Sequence, residues 1–77
     1  MVYVVMLEWS NYDHTDYDMR IAGSELKAHE IFNEFLEDKS VKDLLECGEV
    51  VHQNNHDIYA YDVDNVMNLY IMKKEIE

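Results

Sequence analysis

The first nine residues, MVYVVMLEW, constrain the fold more than any other stretch of the chain. They are rich in β-branched and aromatic side chains, carry no helix cap and read as a strand. Side chains alternate across a strand, so Tyr3, Val5, Leu7 and Trp9 share one face while Val2, Val4 and Met6 share the other. Both faces stay apolar until Glu8. A strand of this kind has to run through the middle of a sheet or meet a partner subunit. At 77 residues the chain forms one small domain, residues 1–77, that buries only about 60% of its unfolded surface. Short length and a doubly apolar strand together lead us to expect a homodimer.

The following residues supply the rest of an α+β domain. NYDHTD, residues 11–16, is expected to turn. YDMRIAG then alternates Tyr17, Met19 and Ile21 against Asp18 and Arg20, completing a hairpin. Gly23 ends that strand, and Ser24 is placed to cap a helix through SELKAHEIFNEFLEDK, with Glu25 in its first turn. Ala28, Ile31, Phe32, Phe35 and Leu36 recur at helical spacing and form its apolar stripe. Ser40 to Asp43 has the capping-box pattern, so a short second helical segment carrying Leu44 and Leu45 is expected to stop at Gly48. EVVHQ and HDIYAYDV flank the turn dipeptide Asn54-Asn55, and Asp64-Asn65 marks another turn before VMNLYIMKKEI, where Met67, Leu69 and Ile71 alternate. The predicted architecture is an antiparallel sheet of four to five strands (hairpin, helix with a short extension, then two or three strands) with the helix packed on one face.

Charge decides which functions remain open. Seventeen acids face six bases, a formal net charge of -11. That excess excludes an ordinary nucleic-acid or anionic-membrane binder and calls for a basic partner, unless it serves solubility alone. A single cysteine, no leader-like segment and no apolar run longer than residues 1–7 fit a cytoplasmic setting.

Catalysis finds little support. Nucleophilic chemistry needs a nucleophile activated by an oriented base. Ser24 and Ser40 read as helix caps, and Cys47 sits at a helix end beside Glu46 and Glu49, which disfavour its thiolate. With only Gly23 and Gly48 there is no phosphate-cradling loop, and no cofactor is expected. Metal binding has one candidate set, Cys47, His52 and His56, with Asp57 as a fourth ligand. The closely spaced cysteine pair common to structural zinc motifs is missing. Asp13, Asp16 and Asp18 lack the glycine and terminal glutamate of a calcium loop.

The acids themselves are the better candidates. Glu30, Glu34, Glu37 and Asp38 lie on one side of the predicted helix, roughly opposite its apolar stripe, and only Lys27 and Lys39 are placed to relieve them. At about 1.5 Å per residue they cover about 13 Å of axis. The resulting spacing, about 3.4 Å per charge, matches the phosphate rise along one DNA strand. Asp13, Asp16 and Asp18 at one end, and Asp43 and Glu46 after the helix, extend this negative surface. Tyr12 and Tyr17 interleave with the acids and are the expected contact aromatics.

With its opening MVYVVMLEW, its helix SELKAHEIFNEFLED and its tyrosine-rich ending DIYAYDVDN...YIMKKEIE, the chain resembles the small acidic host-takeover proteins of phages. Among them it is most similar to the DNA-mimic type that inhibits the bacterial histone-like nucleoid protein HU. The resemblance spans the whole chain in size and charge and rests on no diagnostic motif. It implies a non-enzymatic inhibitor whose carboxylates stand in for phosphates on a basic DNA-binding surface, acting at the nucleoid of a host bacterium. Anti-CRISPR and anti-restriction DNA mimics have the same general appearance. A zinc-stabilised acidic adaptor for a basic host protein is the remaining alternative.

Overall fold

The computed structural model describes residues 1–11 and 14–75. They form β1 (Val2–Asn11), β2 (His14–Ala22), α1 (Glu25–Leu36), α2 (Lys39–Cys47), β3 (Glu49–Gln53), β4 (Asp57–Tyr61) and β5 (Asn65–Lys74). All strands join one antiparallel sheet in the order β2-β1-β5-β4-β3. Both helices pack on one face of it, so the α+β architecture read from the sequence is the one observed.

β1 takes the internal position that its two apolar faces demand. It pairs with β2 on one side and with β5 on the other, Val5 lying opposite both Arg20 and Ile71. On the helix-bearing face, Val5, Met67, Leu69 and Ile58 are fully buried beneath Phe32 of α1 and Val41 of α2. Tyr3, Leu7 and Trp9 complete this layer at its margins. Burying such side chains contributes about 1.5–3 kcal/mol each.

The helices start where short polar side chains can satisfy backbone amides left without intrahelical partners. Ser24 caps α1, its Oγ accepting from the Lys27 N–H at 3.2 Å. The cap of α2 differs from the expectation. Asp38, not Ser40, holds that position, with Oδ1 accepting from the Ser40 N–H at 2.9 Å. Lys39 is already helical, so Ser40 falls inside the first turn and the capping-box pattern is not used.

The first hairpin also differs. β2 begins at His14, three residues before the expected strand, because Ser10 pairs with Thr15 and Trp9 with Asp16. Asp16 and Asp18 are therefore strand residues. Tyr12 and Asp13, both named above as contact residues, lie outside the described residues. Near the other end of the chain, Asn54 Oδ1 accepts from the N–H groups of His56 and Asp57, closing the β3–β4 hairpin.

Gly48 makes the corner between α2 and β3. Its φ of -91° is open to any residue, but a Cβ there would lie 2.6 Å from the Leu44 carbonyl oxygen and 2.8 Å from that of Tyr61. Both obstacles are backbone atoms. Gly48→Ala is expected to cost about 2 kcal/mol by overpacking, read as a fall of roughly 8–16 °C in Tm; an unchanged Tm would mean that this corner yields freely.

Candidate functional site

The helix-bearing side gathers most of the acids singled out in the sequence. Glu30 and Glu34 are exposed along α1 and Glu37 at its C-cap, while Asp38, expected to continue this row, lies beyond the end of α1. Asp43 and Glu46 are exposed on α2, and Asp16 and Asp18 lie on β2. Register puts Asp16 on the same face as Trp9 and Asp18 on the same face as Leu7, which is the face the helices cover. These side chains thus belong to one side of the molecule, although they come from three elements.

Tyr17 does not join them. It pairs with Glu8 and projects from the opposite face of the sheet, because adjacent strand residues point in opposite directions. The grouping of Tyr17 with Asp16 and Asp18 as one contact surface is thereby corrected. Alternation separates them.

The charge balance on α1 also departs from the sequence reading. Arg20, fourteen residues upstream on β2, donates from Nη1 to Glu34 Oε2 at 3.2 Å and lies over the Phe35 ring, 5.2 Å from its centroid. Lys42 on α2 donates to Glu37 Oε2 at 2.7 Å, and that hydrogen bond holds the Lys42 ammonium above its ordinary pKa. Lys27 reaches Glu30 at 3.4 Å. Asp38 spends one oxygen on the α2 cap. Relief for this row therefore comes chiefly from Arg20 and Lys42, neither of which local spacing pointed to.

Between α2 and the end of the sheet lies an open cleft of about 710 Å³. Asp16, Asp43 and Asp62 line it with Trp9, Asn65 and Cys47. A hydrogen-bonded chain forms one wall. Trp9 Nε1 donates to Asn65 Oδ1 at 3.0 Å, and Asn65 Nδ2 donates to Asp62 Oδ1 at 3.2 Å. Asp62 Oδ1 also accepts from the backbone N–H groups of Asp64 and Asn65 at 2.8 and 2.7 Å. These backbone amides hold the Asp62 carboxyl below its ordinary pKa. The arrangement offers a cation an aromatic wall and carboxylates approaching from several directions. Sequence reasoning placed Asp16 and Asp43 among the partner-binding residues, counted Asp62 only among the scattered loop acids and Asn65 only as a turn residue, and did not connect Trp9 with them. The Asp62-to-Asn65 spacing is a readable turn signature, whereas the pairing of Trp9 with a residue fifty-six positions away is not.

The zinc candidates are not assembled. Cys47 ends α2, His56 lies in the β3–β4 turn, and β3 separates them by about 17 Å of rise over its five residues. His52 instead meets Asp57 at 3.1 Å and stacks on Tyr59 with ring centroids 6.1 Å apart. Among the described residues, no three His, Cys, Asp or Glu side chains converge as metal ligands. No helix among them is long and apolar enough to cross a membrane.

No family model, curated protein or solved structure matches this chain.

Asp62 gives the cleft a pH signature. Its folded pKa lies below the ordinary 3.8, so its contribution to stability is present above pH 3.8 and is lost as pH falls through the lower folded value. Asp62→Asn keeps a side-chain oxygen for the turn but no titrating charge. The Tm difference between wild type and Asp62→Asn is expected to hold steady above pH 3.8 and to shrink below it; a difference independent of pH would assign the effect to hydrogen-bond geometry alone.

Proposed function

We propose that this protein is a non-enzymatic DNA mimic that binds the basic DNA-binding surface of a host protein in the bacterial cytoplasm. The observation that carries this reading is the gathering of Asp16, Asp43 and Asp62 around one cleft, beside Glu30 and Glu34 on α1 and Glu37 at its C-cap. A nucleoid protein of the HU kind is the target that the resemblance of the chain implies. Anti-CRISPR and anti-restriction targets present the same chemistry, a basic groove shaped for phosphates.

The ion pairs on α1 are compatible with this role. Arg20, Lys27, Lys42 and their glutamates are all more than half exposed at the side chain. Exposed pairs of this kind contribute only about 0–1 kcal/mol. An incoming lysine or arginine therefore competes with them on nearly equal terms, and a cation already resting on a carboxylate plays the part of a condensed counterion on DNA.

Association governed by charge is fast and sensitive to salt. A purified HU-type protein loaded with fluorescent duplex DNA supplies the test. The wild-type chain is expected to displace the DNA, and its apparent affinity should fall more than about tenfold between about 50 and about 200 mM salt. Glu30→Gln, Glu34→Gln and Glu37→Gln combined should weaken displacement at least tenfold while α1 stays folded. Asp38 is left in place because removing a cap costs α2 about 1 kcal/mol. Undiminished displacement by the triple variant would overturn the role of the α1 row. Binding without displacement would favour an acidic adaptor on a basic host protein.

A further inference from the structure

The sheet has a second face that no helix covers. Register places on it Val4 and Met6 from β1, Tyr17, Met19 and Ile21 from β2, and Met72 from β5. Met19 and Ile21 are more than half exposed, at 54% and 62%, and Tyr17 reaches 67%. Val4, beside them on β1, is only 5% exposed. Monomeric proteins rarely leave a continuous apolar patch larger than a few hundred Å² in water. Methionine and tyrosine are also the residues that interfaces favour.

Charge is scarce on this face. The acids that register places there are Glu8, Glu49 and Asp57. Glu8 accepts from the Tyr70 hydroxyl at 2.9 Å and Asp57 meets His52 at 3.1 Å, so two of the three are already engaged. A basic partner would find little to hold here. A second copy, whose other surfaces repel across a net charge of -11, finds here the face where the two approach at least cost.

We infer that two copies of the chain associate back to back through this face, burying the Met6, Met19 and Met72 cluster between sheets and turning both helix layers outward. Five strands about 4.8 Å apart, averaging about eight residues at about 3.3 Å each, give a face of roughly 600 Å². Two such faces bury roughly 1,200 Å², the lower bound for a specific stable interface. Aligned sheets pack about 10 Å apart, at a small crossing angle. The acidic helix layers then lie farther from each other than the Debye length of about 8 Å at physiological salt. Repulsion between copies is screened while the apolar gain is kept. This inference stands whether or not the helix side mimics DNA, since it concerns the opposite face.

Sedimentation equilibrium of the purified full chain, with no partner present, tests it. The wild type is expected to show twice the 9.2 kDa chain mass at micromolar concentrations. Met19→Lys and Met72→Lys should each weaken the dimer at least tenfold with the far-UV circular dichroism unchanged. Met19 lies on the edge strand β2 and Met72 on β5, on the other side of β1. Pairing through the β2 edge would respond to the first variant and ignore the second, and that result would overturn face-to-face packing. A wild type that stays monomeric at hundreds of micromolar would also overturn the inference, including the case where only a foreign protein covers the face. If a variant unfolds, intermolecular NOEs in a mixed-label wild-type sample decide. Methyl contacts from Met6, Met19 and Met72 support the interface, and contacts only from other residues refute it.

Discussion

The pairing of β1 with β5 is the interaction on which the rest of the molecule depends. It joins residues 2–11 to residues 65–74 in ten consecutive register pairs, so the two ends of the chain form the middle of the sheet. Closing a loop of that length costs conformational entropy before any contact compensates for it, although the cost grows only slowly with length. What offsets it is a floor of fully buried side chains, Val5 from β1 and Met67 and Leu69 from β5, on which both helices rest. Without this ladder, the sheet would split into a two-stranded β1–β2 hairpin and a three-stranded β3–β4–β5 piece, and an isolated hairpin is marginal in water. The same dependence on distant pairing predicts slow folding for so small a chain.

The negative charge of the chain is organised by contacts that are equally non-local. Arg20 on β2 and Lys42 on α2 each reach a glutamate of α1, and Asp38 and Asp62 direct oxygens to backbone amides. These acids have local duties. Capping α2 and closing the β4–β5 turn draw on the same carboxylates that add to the surface potential. A helix amide is a weak donor beside a lysine, and exposed ion pairs contribute little, so neither use withdraws the charge from a partner. The surface is negative because bases are sparse, and it is ordered because the few bases present fasten one element to another.

Much of the fold was legible in the sequence because it rests on periodicity. The stripe of Ala28, Ile31, Phe32 and Phe35 and the alternation of Met67 and Leu69 mark faces that the structure buries. Gly48 stands where a Cβ would crowd the Leu44 and Tyr61 carbonyl oxygens, a constraint the glycine in the sequence marks. Boundaries were less legible. Asp38 and Ser40 are both good caps by composition, and choosing between them depends on where α1 releases the chain. The candidate site was legible only in part. Asp16 and Asp43 were singled out as acids, but their meeting across a cleft with Trp9 requires the β1–β2 register and the placement of α2. Cys47, His52 and His56 look close in sequence, yet an extended strand keeps them apart, since about 3.3 Å per residue carries neighbours away faster than a helix would.

β2 shows how one strand can serve two surfaces. Asp16, Asp18 and Arg20 face the helix layer, where Arg20 ties α1 to the sheet, while Tyr17, Met19 and Ile21 face the open side. Sliding the strand by a single residue would exchange these sets, putting carboxylates on the apolar face and methionines against the helices. The register is therefore fixed from both sides. Arg20 is anchored by Glu34 and Phe35, and Ala22, nearly inaccessible to water beside Tyr3, leaves no room for a larger neighbour. With the register held, charge and apolar area are sorted onto opposite faces of a chain too short to hide either. The helix side attracts cations, and the open side attracts whatever lacks charge. Any assembly of this protein has to satisfy both demands together, and a sheet-to-sheet pair with helices outward does so without placing one acidic surface against another.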